Sequence, residues 1–93
     1  MLRLLSIVLI LMLVPGAAMA QSDQDWKICN GNDYDAAIPA CTRLIGSGRL
    51  SSKNLAIAYS TRGISYAAKG EHDRAIADYT KAIEIDQIGR AHV

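Results

Sequence analysis

Two cysteines, two histidines and a scatter of serines and carboxylates are the side chains from which this chain could build chemistry. His72 and His92 each stand alone, without the neighbouring ligands at helical or loop spacing that a metal site needs. His72 reads as a packing or solvent-facing residue. The serines lie in no nucleophile elbow, and the carboxylates form no facing pair for acid–base work. Gly46-x-Gly48 is too short for a phosphate loop, and no strand precedes it. No catalytic residue, metal or cofactor is therefore expected. Cys29 and Cys41 are too far apart for a CxxC redox pair and do not have zinc-finger spacing. Their even number favours a structural disulfide over two free thiols or a catalytic role, provided the compartment is oxidising. Closing that loop would contribute about 2–3 kcal/mol by chain entropy.

The N-terminus speaks to the compartment. Arg3 gives a short basic start, Leu4–Val14 is an apolar run, and Pro15-Gly16 is expected to break any helix. Ala18-Met19-Ala20 places small residues where a signal peptidase reads them. The run falls short of the roughly 18 apolar residues of a spanning helix. Residues 1–20 are read as a signal peptide cleaved after Ala20, with an uncleaved anchor as the alternative. The mature chain would be exported, periplasmic or secreted, with no membrane attachment after cleavage. Losing Arg3 leaves nine basic against nine acidic residues, interspersed along the chain. That balance disfavours nucleic acid as a partner. A chain this short has little core to build, so a staple is expected.

These residues must be positioned by helices, because no segment alternates as a strand does. Gln21–Gln24 is polar and expected to fray. Trp26 and Ile28 begin an apolar patch that stops at the Asn30-Gly31-Asn32 turn. Asp33 caps a helix through Ala36, Ala37, Ile38, Cys41, Leu44 and Ile45. Pro39 should delay or bend that helix, since it lacks an amide proton and crowds the carbonyl of Asp35. Gly46-Ser47-Gly48 ends it. Ser51 or Ser52 caps the next helix, which carries Leu55, Ile57, Tyr59, Ile64, Tyr66 and Ala67 up to the Gly70 stop. The last helix opens near His72-Asp73 and carries Ala75, Ile76, Tyr79, Ala82, Ile83 and Ile85. On it, Lys81 can pair with Asp78 or Glu84, while Arg62 can reach Asp78 from the partner helix. Tyr59, Tyr66 and Tyr79 are packing residues by their spacing, not a stacking platform.

Small residues at Gly63, Ala75 and Ala82 alternate with the aromatics Tyr59, Tyr66 and Tyr79, so two helix backbones can approach closely. The turn at Gly70 is short enough to force the two helices antiparallel. A related hairpin precedes it: Asp35, Ala37 and Ile38 match Asp73, Ala75 and Ile76 at an offset of 38 residues. In that register Cys41 stands against Tyr79 and Leu44 against Ala82. Only Trp26–Cys29 is expected to remain of the first helix of this earlier copy.

The pattern Tyr59, Gly63, Tyr66, Gly70, Ala75, Tyr79, Ala82 resembles the tetratricopeptide repeat (TPR) family over Ala56–Gln87. The cysteine-bearing segment is similar to the partial first repeat of exported bacterial members. The resemblance implies an all-α fold of antiparallel hairpins stacking as a TPR-type α-solenoid, with about one and a half repeats present. It departs at Glu71, where an Asp cap is usual, and at Gln87, where a Pro is usual. The division implied is 1–20 signal peptide, 21–50 partial first repeat with the Cys29–Cys41 disulfide, 51–87 repeat unit, and 88–93 a non-native tail. Ile88–Val93 carries none of the repeat pattern and no helical continuation, and a common sequencing adapter encodes it in one frame.

The resemblance also implies a non-enzymatic scaffold that binds a protein or peptide. Its groove would include Ile57, Ser60, Thr61, Ile64, Ala67 and Ala68, a small, weakly polar, uncharged face. Thr61 stands where carboxylate-clamping members have Asn, which argues against recognition of a peptide C-terminus. Ile57 and Ile64 read equally well as core covered by a neighbouring helix. Two alternatives accompany the scaffold reading: a repeat module of a larger exported enzyme, and a self-contained small disulfide protein.

Overall fold

The computed structural model describes residues 14–91. Most of the expected signal peptide, and His92, lie outside the described residues. Four helices succeed one another: α1 (Val14–Cys29), α2 (Tyr34–Gly46), α3 (Ser52–Ala68) and α4 (His72–Ala91). α1 packs on α2, α2 on α3 and α3 on α4, with a small further contact between α1 and α3. The result is two hairpins laid side by side. Among the described residues no helix is long and apolar enough to cross a membrane.

The helix ends come from local chemistry. Asp33 caps α2 by accepting from the Ala36 amide, and Ser51 caps α3 by accepting from the Asn54 amide at 3.1 Å. Gly70 closes α3 at φ +79°. Its amide donates to the Ala67 carbonyl at 3.0 Å, and the Glu71 amide donates to the Tyr66 carbonyl at 2.9 Å. This paired closure needs a residue that tolerates the left-handed region, which is why a glycine stands there.

Several expectations are corrected. α1 runs unbroken through Pro15-Gly16. Gln21–Gln24 is helical rather than frayed, and the Gln21 amide approaches Asp25 at 3.5 Å. The first helix of the earlier hairpin is therefore far longer than Trp26–Cys29. α2 starts directly after its Asp33 cap and continues past Pro39, so Pro39 neither delays nor ends it. α4 extends through Ile88 to Ala91, helped by an Arg90–Asp86 pair at 3.2 Å one turn apart. Lys81 enters no ion pair among the described residues, because Asp78 turns inward to Arg62 instead.

The core is made of small side chains. Its fully buried apolar residues are Cys29, Ala37, Ala40, Cys41, Leu44, Ala58, Ala75 and Ala82. Alanines at the contacts let the helix axes draw together. The tightest approach is at Gly63, where an added Cβ would lie 2.8 Å from Tyr79 Cε1 and 3.3 Å from the Ala75 carbonyl oxygen. In the first hairpin a disulfide joins Cys29 at the end of α1 to Cys41 in the middle of α2. Trp26, Ile28 and Leu50 pack around it.

α2 and α4 carry matching stripes. Ala37, Ala40, Cys41 and Leu44 are buried on α2, and the residues 38 positions later, Ala75, Asp78, Tyr79 and Ala82, are buried or half-buried on α4. Each stripe faces the helix that precedes it in its own hairpin.

Candidate protein-binding surface

The surface is organised by Arg62, which joins three helices. From α3 its guanidinium donates to Asp78 on α4 through Nε at 2.8 Å and Nη2 at 2.7 Å. Nη1 donates to the Thr42 hydroxyl on α2 at 3.1 Å. The cation also lies 5.4 Å from the Tyr59 ring centre and 5.8 Å from that of Tyr66. The two tyrosines therefore do more than fill space: they flank a cation, and Arg74 approaches the outer side of Tyr66 at 5.7 Å. The Asp78 carboxylate is almost fully buried, and a bidentate guanidinium satisfies it. Hydrogen bonding to Asp78 raises the Arg62 pKa further above its ordinary value, outweighing the opposing effect of burial. Arg62 thus stays charged throughout the range in which proteins fold.

A second buried carboxylate, Asp25 on α1, accepts from Arg43 of α2 through Nε at 3.1 Å and Nη2 at 2.9 Å. That hydrogen bonding raises the Arg43 pKa. Lys69 at the end of α3 pairs with Asp35 near the start of α2, and its pKa is raised chiefly by that bond. No buried polar side-chain atom among the described residues is left without a partner.

Between α3 and α4 lies an open groove of about 420 Å³. Ile57, Ser60 and Thr61 line one wall, while Ala82, Ile83 and Asp86 line the other. Of the expected groove residues, Ile64 is exposed on α3 beyond this lining, Ala67 is half-buried, and Ala68 is exposed. The α4 wall lies outside the expected groove, because a reading confined to the first helix of a hairpin omits what the second helix adds. The surface is also not uncharged: Lys53 and Asp86 both line it. A smaller cleft of about 350 Å³ near Asp25, Arg43 and Arg49 lies between the first hairpin and the loop after it. His72 is exposed.

The exposed large apolar side chains are Ile57, Ile64, Ile76, Ile83 and Ile88. Four of them fall at seven-residue spacing on two adjacent helices, Ile57 with Ile64 and Ile76 with Ile83. Of these, Ile57 and Ile83 both line the groove and give it an apolar stretch of the kind that marks an interaction surface.

Residues 56–87 match the family model of the tetratricopeptide repeat. This match coincides with the hairpin of α3 and α4, so that unit is similar to a tetratricopeptide repeat. Such repeats are typically non-catalytic and generally bind protein partners. No curated protein and no solved structure matches the chain.

Proposed function

We propose that this chain is the N-terminal part of an exported scaffold whose stacked repeats bind another protein. The observation that carries the reading is the open groove between α3 and α4, with Ile57 and Ile83 on its walls, on a hairpin whose residues match the repeat family. A stack of hairpins holds such a surface rigid, and a shape-fixed apolar groove is what a protein ligand exploits. Export is supported by the leader-like residues before Gln21, and it provides the compartment in which the Cys29–Cys41 bond persists. The disulfide then clamps α1 onto α2 within the first hairpin.

Reading the native locus downstream of the Asp86 codon, together with the mass of the exported product, tests this proposal. The expected result is a frame that continues into further repeats and a product beginning at Gln21. A catalytic domain after the repeats would move the function to an enzyme with a binding module. A product that keeps its leader and stays in the cytoplasm would overturn the export reading.

A further inference from the structure

Gln21 is the residue that cleavage after Ala20 would leave first. It is exposed on α1, one turn before the buried Asp25. Ser22 is half-buried and Asp25 accepts from Arg43, so α1 is tied to α2 just behind Gln21. Gln21 itself is held only loosely. Its side-chain amide approaches Asp25 Oδ1 at 3.5 Å, the weak end of hydrogen bonding, and that oxygen already accepts twice from Arg43.

The surroundings of Gln21 are electropositive. It lines the cleft of about 350 Å³ together with Arg43 and Arg49, against the single carboxylate of Asp25. Arg49 is exposed and enters no ion pair among the described residues. A helix that began at Gln21 would add the positive end of its dipole at the same place. An α-ammonium there meets like charge from both sources, whereas a neutral end does not.

We propose that the exported chain carries Gln21 as pyroglutamate, an inference that rests on the reading that residues 1–20 are removed. The unprotonated α-amine of Gln21 attacks its own side-chain carbonyl carbon, Cδ. A nitrogen–carbon bond forms, the Cδ–Nε2 bond breaks, and Nε2 leaves as ammonia with the proton the amine gives up. Nothing is oxidised or reduced, and no co-reactant is consumed. Ring closure uses only bonds of Gln21, and the amide left in the ring is one for which a helix start has no intrahelical partner. Nothing from Ser22 onward has to move. The product is a neutral, blocked end on α1, closed to aminopeptidases that grip an α-ammonium.

The full chain, expressed with residues 1–20 in a host with an oxidising periplasm, supplies the exported product for the test. Its amines are dimethylated before digestion, which marks open N-termini and prevents their later closure. The reduced peptide ending at Arg43 is then weighed. The expected result is an unlabelled N-terminus, lighter than the open Gln21 form by the mass of one ammonia. Followed at neutral pH after export, an Arg49→Glu chain should close about threefold more slowly, because less of its amine is unprotonated. A dimethylated Gln21 that persists on incubation would overturn this inference and leave the export reading standing. A product that keeps its leader, or begins at another residue, would overturn both. Equal closure rates with Arg49→Glu would overturn the electrostatic argument that carries the inference.

Discussion

The two hairpins solve the same packing problem with different materials. In the first, α1 and α2 are joined covalently through Cys29 and Cys41, and the buried carboxylate Asp25 sits on the first helix facing Arg43. In the second, Gly63 lets Tyr79 lie against the backbone, and the polarity is reversed, with Arg62 on the first helix and Asp78 on the second. Arg43 is half exposed in its pair, whereas Arg62 is mostly enclosed, with a side-chain exposure of 17%. The hairpin with the bond can leave its ion pair wet. The hairpin without one relies on a desolvated charge network.

Breaking the network should have the largest effect. Arg62→Ala strands Asp78 in the interior and removes the bond to Thr42, with an expected loss of about 3–5 kcal/mol in chemical denaturation. Arg62→Lys should recover only part of this, since an ammonium cannot make the bidentate contact. Removing the disulfide by Cys29→Ser with Cys41→Ser should cost about 3 kcal/mol. Hydrogen exchange should show that loss concentrated in α1 and α2, with α3 and α4 largely protected. Equal loss of protection in all four helices would show that the hairpins unfold as one unit, and the comparison would fail.

Gly63→Ala forces Tyr79 aside and should cost about 1–3 kcal/mol, because a backbone carbonyl blocks the other direction. Adding Tyr79→Leu should relieve part of that cost if the ring is the obstacle. Ser51→Ala, which removes a single cap between the hairpins, should cost about 1 kcal/mol by thermal melting. Arg43→Ala should do less than Arg62→Ala, since water already reaches that guanidinium.

Much of this architecture is legible in the residues. Asp33, Ser51 and Gly70 mark helix ends because capping chemistry is local. The spacing of Gly63 and Tyr79 announces a close helix crossing, and the Arg62–Asp78 pair is implied once the hairpin register is known. α1 is less legible. Gln21–Lys27 has no apolar period, and the helix is held by the tertiary pair between Asp25 and Arg43, which no local pattern reveals. The continuation of α4 past Gln87 escapes for the opposite reason: the segment lacks repeat residues, yet only Gly89 weakens the helix there. The groove is half legible, because Ala82, Ile83 and Asp86 join it only through the crossing of α3 and α4.

α1 has one more consequence, concerning the order of events in the life of the chain. The Ala18-Met19-Ala20 bonds lie inside a continuous helix, with their amides and carbonyls engaged along the helix axis. A peptidase takes its substrate as an extended strand and must reach those same backbone groups. Once α1 has wound and Cys29 is tied to Cys41, the bond after Ala20 lies within its own secondary structure. If the chain is processed after Ala20, as the proposed export requires, that cleavage must come before α1 folds.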